Sequence, residues 1–166
     1  MALIDGDFTI VIADDDPDDR FLAESAFKEL GIPGSLIMAK SGEELLHYLD
    51  KCISCEDQEY IPPEFILLDL NMPEKSGWDI LEEIKEIRTL QDIPIVIWTG
   101  SESDEDRLLS IELGADYFVT KPSEYSDLLS CIHSLIRIFC GSRENTKVKI
   151  PVTINNKKQR SGLEDA

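Results

Sequence analysis

The sequence predicts an α/β protein in which five parallel strands form a doubly wound sheet flanked by five helices. Five short apolar runs recur with helix-length segments between them, at residues 8–13, 35–40, 64–69, 93–98 and 115–120. The runs are nearly continuously apolar rather than alternating, which is typical of parallel strands buried on both faces. Five repeats of a strand followed by a helix, joined by right-handed crossovers, give this architecture.

The segments between the strands carry the start signals and apolar faces of α-helices. Asp16 followed by Pro17 predicts an N-cap and a first helical residue. Ser41, with Glu44 three residues later, predicts a capping box at the start of the second helix. The last helix is indicated by apolar residues at three-and-four spacing. They are Leu128, Leu129, Ile132, Leu135, Ile136 and Phe139.

The length of 166 residues and the hydrophobic content of 42% fit one domain, which we place at residues 1–140. The net charge of −18 is uneven, because residues 141–166 carry six Lys/Arg and three Asp/Glu while residues 1–140 carry 10 basic and 31 acidic side chains. Such a negative body makes nucleic acid an unfavourable direct partner. No apolar stretch approaches the roughly 20 residues of a membrane span, and the first residues lack a signal-peptide pattern. We therefore expect a cytoplasmic protein that does not engage a membrane.

Residues 141–166 form a polar, basic tail with one strand-like segment. In KVKIPVTI, residues 147–154, apolar side chains alternate with lysine, proline and threonine at a period of two. Pro151 excludes a central strand but permits an edge strand. A disordered tail and an edge strand, added to this sheet or to a partner's, are both open. We predict that residues 147–154 are ordered against protein surface and that residues 157–166 are disordered.

Cys52 and Cys55 form a lone CxxC pair. A zinc site would require further ligands, but no second CxxC occurs, and His47 and His133 lie on separate predicted helices. This favours a loop with free thiols over a metal or redox site.

Chemically versatile side chains follow the ends of the predicted strands. Ligands of open α/β sheets bind beyond the carboxyl ends of the strands, where Asp14, Asp15, Asp69, Thr99 and Lys121 lie. Three carboxylates in one pocket repel one another unless a cation lies among them, and hard oxygen ligands select Mg²⁺. Mg²⁺ favours a phosphoryl oxygen as its next ligand, and an amine and a hydroxyl can hold the remaining oxygens. The central Asp69 is then best placed as the nucleophile that forms an aspartyl phosphate.

Four segments, in this order, resemble the receiver domains of bacterial two-component response regulators: IADDD, LLDLNMPEKSGWDIL, IPIVIWTG and GADYFVTKP. The resemblance covers roughly residues 7–140 and implies a flavodoxin-like fold of the receiver type. It implies that Asp69 is the phosphoacceptor and that Asp15 is the direct Mg²⁺ ligand, with Asp14 mainly holding metal-bound water. It also implies that the backbone carbonyl of Asn71 contacts the metal.

The same resemblance assigns roles to residues of the last two strands. Thr99 and Lys121 would contact the phosphoryl oxygens, with Gly100 as the small residue beside Thr99. Phe118 occupies the position of a switch residue, although plain core packing would also explain it. The Lys121–Pro122 peptide bond is expected to be cis, which would aim the amine at the pocket.

The resemblance implies a signalling protein rather than an enzyme that acts on another molecule. Such a protein promotes its own phosphotransfer and its slow dephosphorylation. A sensor histidine kinase or a phosphotransfer protein would donate the phosphoryl group, and a downstream protein would bind the changed surface; homodimer formation is open. The insertion at residues 50–63 is similar to that of stand-alone receivers paired with phytochrome-type or hybrid sensor kinases. The alternative is a receiver-like interaction module in which phosphorylation is vestigial.

Overall fold

The computed structural model describes residues 8–54, 59–141 and 154–156. The strands are β1 (Thr9–Ala13), β2 (Ser35–Ala39), β3 (Phe65–Leu68), β4 (Ile95–Thr99), β5 (Tyr117–Thr120) and β6 (Ile154–Asn156). The helices are α1 (Pro17–Glu29), α2 (Gly42–Ser54), α3 (Gly77–Glu86), α4 (Asp104–Glu112) and α5 (Tyr125–Cys140).

The strands form one sheet in the order β2-β1-β3-β4-β5-β6. The first five strands pair in parallel, and β6 pairs antiparallel with the outer edge of β5. The predicted fold of five parallel strands with five helices is therefore confirmed, with one antiparallel strand added. The strand order reverses between β1 and β3, which is the place where such sheets bind ligands.

Two hydrophobic clusters cover the two faces of the sheet. Alternate residues of a strand face opposite sides, so Val11 packs with Leu45 of α2 and Ile80 of α3, while Ile10 packs with Ile132 of α5. All residues of β1, β3 and β4 are buried, as the continuous apolar runs predict. Among the helices that the structure describes, none has the length and apolar character needed to cross a bilayer.

The sequence predicts how α1 and α2 begin. The prediction is confirmed for α1 and only in part for α2. Asp16 caps α1, since its side chain accepts hydrogen bonds from the backbone N–H of Asp18 at 2.8 Å and of Asp19 at 3.4 Å. Ser41 accepts from the N–H of Glu44 at 3.2 Å, but the Glu44 carboxylate accepts from Lys40 N at 2.7 Å instead of closing the predicted box. Lys40 follows the last residue of β2, so its N–H needs an acceptor outside the sheet.

A close approach of backbone segments brings α3 onto the end of β3. A Cβ at Gly77 would lie 2.2 Å from the Asp69 carbonyl oxygen and 2.8 Å from Leu70 Cα. Only glycine therefore permits this contact, which Ser76 reinforces by capping α3 with a hydrogen bond from Asp79 N. The start of α3 is thereby held against the end of β3, where Gly77 N donates to Leu70 O at 2.9 Å.

The tail is described only at β6. The register places Ile154 opposite Val119 and Asn156 opposite Tyr117. Residues 147–153 and 157–166 lie outside the described residues, so the predicted order of the former and disorder of the latter stay predictions. The strand described lies nearer the C-terminus than the predicted one and shares only Ile154 with it.

Candidate functional site

An open cleft of about 560 Å³ lies at the carboxyl ends of the central strands. Its walls include Asp15, Asp69, Asn71, Gly100 and Lys121, together with the first turn of α1. Residues from four separate places in the chain therefore meet at the edge of the sheet that the sequence indicated.

Three carboxylates lie close together at this cleft, two of them in its wall and Asp14 buried beside them. One oxygen each from Asp14, Asp15 and Asp69 lie within 4.8 Å of one another. Asp14 and Asp69 are buried, whereas Asp15 is exposed. The sheet ladder continues past the strand ends, because Asp14 N donates to Ala39 O and Asp69 N donates to Ala13 O, both at 3.0 Å. This pairing fixes the backbone of the two buried acids.

The ammonium group of Lys121 lies among three carboxylates. Its Nζ is 2.7 Å from Asp14 Oδ2, 2.7 Å from Asp19 Oδ2 and 3.0 Å from Asp69 Oδ2. The lysine backbone is held by its own hydrogen bond to Thr99 O at 2.7 Å. One positive charge thus offsets part of the mutual repulsion of the acids.

The Lys121–Pro122 peptide bond is trans, since no peptide bond among the described residues is cis. The expectation of a cis peptide bond is therefore wrong. Trans is the lower-energy form by about 0.5–1 kcal/mol for a bond to proline. The lysine ammonium group reaches the acids from that backbone, so the site does not require the cis form.

Burial and pairing act in opposite directions on the two central charges. Burial raises the pKa of Asp14 to about 6, and the contacts with Lys121 and with Asp16 N–H oppose this rise only in part. For Lys121, burial would lower the pKa, but the close contacts with Asp14 and Asp19 and the charge of Asp69 outweigh it, so the pKa lies above its usual value. The lysine therefore stays charged at neutral pH.

The donor set fits a divalent cation. Among the described residues, Asp14, Asp15 and Asp69 form the group of side chains that could together hold a metal ion. Carboxylate oxygens suit hard cations. Asp14 Oδ2 is buried without an aligned hydrogen-bond donor, although Lys121 Nζ lies close to it. Asn71 is also at the cleft, where its N–H donates to Asp69 Oδ1 at 3.3 Å. The geometry thus leaves an acidic site that a cation can complete.

Thr99 and Phe118 lie deeper than the acids. Thr99 is fully buried, and its Oγ1 accepts a hydrogen bond from Ser101 N at 3.3 Å. The Phe118 ring is also fully buried in the cluster that α2 and α3 cover, with the guanidinium carbon of Arg107 5.5 Å from its centroid. Phe118 thus packs as a core residue in this structure.

Asp19 is a cleft residue whose contact the sequence did not indicate. Asp18 and Asp19 are both acids of the first turn of α1, which the positive helix N-terminus favours, and this position by itself predicts no contact with Lys121. In the structure Asp19 bonds to Lys121, which lies 102 positions further along the chain. The available signal was its position three residues after the cap Asp16, which puts it on the cleft side of the first turn.

The CxxC pair is described only at Cys52, a half-buried free thiol of α2. Cys55 lies outside the described residues. The predicted loop is therefore wrong at Cys52, which lies in the last turn of α2, whereas the prediction of free thiols without a metal stays untested at Cys55.

Three features together define a receiver-type signalling domain: the fold, the reversal of strand order between β1 and β3, and the cleft in which Lys121 meets the carboxylates. Residues 10–133 match the response regulator receiver domain. The response regulator Rcp1 of Synechocystis sp. (strain PCC 6803) is 31% identical over 126 residues, which cover 76% of this chain and 84% of Rcp1. The chain belongs to the response regulator receiver domain family.

Solved structures agree with this assignment. The Mn²⁺-bound form of Rcp1 superposes with a TM-score of 0.70 at 29% identity, covering 84% of this chain and 97% of the other. The phosphorylated cyanobacterial phytochrome response regulator RcpA gives a TM-score of 0.72 at 28% identity, covering 81% and 94%. The fold and the acidic cleft are therefore those of a receiver.

Proposed function

We propose that Asp69 is the phosphoacceptor of this receiver. Its carboxylate is buried at the centre of the cleft, between Lys121 Nζ at 3.0 Å and Asn71 N–H at 3.3 Å. This placement carries the proposal, because the acid is oriented by two donors and still faces the open cleft. The likeness to RcpA, whose solved structure is phosphorylated, supports it.

The donor in this proposal is a phosphohistidine of a sensor kinase or a phosphotransfer protein. A carboxylate oxygen of Asp69 forms a bond to phosphorus while the phosphorus–nitrogen bond breaks, and the electron pair stays on the imidazole nitrogen. The product is a mixed anhydride on Asp69 and a neutral histidine on the donor. The exchange is expected in the cytoplasm.

Mg²⁺ is the proposed cofactor. Asp14, Asp15 and Asp69 would hold it together with the backbone carbonyl of Asn71, and the ion would neutralise charge on the transferring phosphoryl group. The Mn²⁺-bound structure of Rcp1 supports a divalent ion in this class of protein. Asp15 is the proposed direct ligand, and Asp14 acts mainly through metal-bound water.

Lys121 and Thr99 are the proposed contacts to the phosphoryl oxygens. Lys121 lines the cleft, and its raised pKa keeps the ammonium group charged at neutral pH. Thr99 ends β4 next to Gly100, where a side chain would meet no atom within 4 Å, so an arriving phosphoryl group has room. An inward movement of Thr99 would pull on the loop that leads to α4.

The proposed output is a change of the surface formed by α4, β5 and α5, which a downstream protein binds. Phe118 of β5 is the proposed switch residue, and a second copy of this chain is a further candidate partner. The buried ring contacts Arg107 of α4, so a movement of the ring would also change the packing of that helix.

The test is phosphorylation by acetyl phosphate with Mg²⁺. We expect one phosphoryl group per chain, stable in acid and removed by hydroxylamine, on the wild type and on the control Asp18→Asn. Asp69→Asn keeps the shape of the side chain but not the nucleophile, and we expect no incorporation. Intact mass spectrometry measures all three proteins.

Phosphate that still attaches to Asp69→Asn would refute the assignment of the acceptor. A wild type that takes up no phosphoryl group, from either acetyl phosphate or purified histidine kinases, would instead indicate an interaction module with vestigial phosphorylation.

A further inference from the structure

Three carboxylate oxygens crowd the Lys121 ammonium group at 2.7–3.0 Å, and two of them accept its hydrogen bonds. A lysine ammonium carries three N–H donors. Lys121 donates to Asp19 Oδ2 and Asp69 Oδ2, and Asp14 Oδ2 lies 2.7 Å away. Only 16% of its side chain is exposed. Contact with a phosphoryl oxygen therefore requires that one carboxylate gives up the lysine.

The three carboxylates differ in how easily they can do so. The side chains of Asp14 and Asp69 are 1% and 7% exposed, so separation from Lys121 would leave a buried charge without a counterion. The side chain of Asp19 is 34% exposed. Water can replace the lysine at Asp19, and the loss of a partly exposed ion pair costs little.

Asp19 is also held in place independently of Lys121. It lies in the first turn of α1, where its N–H donates to the cap Asp16 at 3.4 Å. Its neighbour Asp18 donates to the same cap at 2.8 Å, but its side chain is exposed and forms no ion pair with any described cation. Of these two acids in one helical turn, only Asp19 contacts the lysine.

We propose that Asp19 is a positioning residue that holds the Lys121 ammonium while Asp69 is unmodified and yields it to a phosphoryl oxygen. Asp19 acts through Lys121, and it lowers the affinity of the cleft for a phosphoryl group in two ways. It competes for the lysine, and its charge repels the anion. This inference rests on the proposed function of Asp69.

The test is the binding of beryllofluoride, a phosphoryl mimic, measured by calorimetry at saturating Mg²⁺. Asp19→Asn should bind the mimic about fivefold more tightly than the wild type, which is the effect of removing one partly exposed ion pair. Asp19→Glu, which keeps a carboxylate within reach of the lysine, should remain close to the wild type. A purely structural role in α1 would predict weaker or unchanged binding, not tighter binding.

Asp18→Asn is the matched control, because it removes the same charge from the same helical turn without touching Lys121. We expect its affinity to stay close to that of the wild type. The Lys121 Nζ resonance provides a second readout by NMR. It should differ between wild type and Asp19→Asn in the free proteins and coincide when beryllofluoride is bound.

The outcomes separate the two hypotheses. If the wild type binds beryllofluoride but Asp19→Asn binds no more tightly, or Asp18→Asn gains as much, the positioning role is wrong and the phosphoacceptor function stands. If the Lys121 resonances still differ in the bound proteins, the lysine has not left Asp19 and the exchange is wrong. If the wild type fails to bind the mimic with Mg²⁺, the proposed function fails and this inference with it.

Discussion

Charge balance at individual residues decides how the cleft is held together. Among the residues described, Lys121 is the one cation that forms ion pairs with the carboxylates of the buried acids, and it faces three carboxylates. The raised pKa of Asp14, about 6, reflects this incomplete compensation, since burial outweighs the contacts that oppose it. A divalent cation would supply the missing positive charge.

The acids should therefore differ in their contribution to metal affinity. Asp15 is exposed, whereas Asp14 Oδ1 already accepts from Asp16 N at 3.0 Å and Asp14 Oδ2 faces Lys121. We expect Asp15→Ala to weaken Mg²⁺ binding by about tenfold or more, and Asp14→Ala to weaken it less. Calorimetric titration with MgCl₂ measures both variants.

Asp18→Ala serves as the control for the loss of one exposed acid from the cleft, and it should bind Mg²⁺ nearly as the wild type does. Equal losses in Asp14→Ala and Asp15→Ala, or tighter binding by Asp15→Ala, would contradict the proposed division of roles.

The convergence of Asp69 and Lys121 could be predicted because parallel strands end at the same edge of a sheet. The contact of Asp19 with Lys121 could not, because it depends on how closely α1 approaches the end of β5. The buried position of the Phe118 ring likewise depends on packing between β5 and α4. From the sequence, Phe118 could be either a switch residue or a core residue, and its switching role stays a proposal.

Hydroxyl side chains connect helix α4 to the ends of strands β4 and β5. Ser101 N donates to Thr99 Oγ1, and Thr120 Oγ1 donates to Ser101 O at 2.9 Å. The Ser101 hydroxyl in turn donates to Asp106 of α4. These hydrogen bonds form a continuous path from Thr99 to the first turn of α4, along which a displacement of Thr99 would be transmitted.

A second connection joins α3 to α4 and is open to a direct test. Trp78 Nε1 donates to Ser110 Oγ at 3.0 Å, and the fully buried Ser110 hydroxyl donates to Asp106 O at 2.6 Å. Ser110→Ala leaves the indole N–H without this acceptor, so we expect the free energy of unfolding to fall by about 1–2 kcal/mol. Urea unfolding measures the change.

Ser134→Ala is the matched control, because Ser134 Oγ donates to the carbonyl four residues earlier at 2.8 Å, just as Ser110 does. It should lose less stability than Ser110→Ala, since no indole depends on it. Equal losses in the two variants would mean that the link between α3 and α4 contributes nothing measurable.

For the whole molecule, the five parallel strands could be predicted because both their composition and their spacing are local properties of the chain. The antiparallel pairing of β6 is a different case. Ile154 lies opposite Val119, far away in sequence, and the tail pattern alone favoured neither this sheet nor a partner's. The partition into a domain at 1–140 and a tail stays a prediction.

The stability of the whole domain should fall at alkaline pH because of a thiol in its core. Burial raises the pKa of Cys131 from 9.0 to about 12, so between these values the folded state retains a proton that the unfolded chain releases. The free energy of unfolding therefore decreases as the pH rises from about 9 to about 12, by at most about 1.4 kcal/mol per pH unit for this group. Cys131→Ala removes the titrating group, so urea unfolding at several pH values should show a shallower decline for that variant, while Ser134→Ala on the same helix should keep the wild-type slope. Parallel pH profiles for Cys131→Ala and the wild type would show that the thiol does not determine this part of the stability curve.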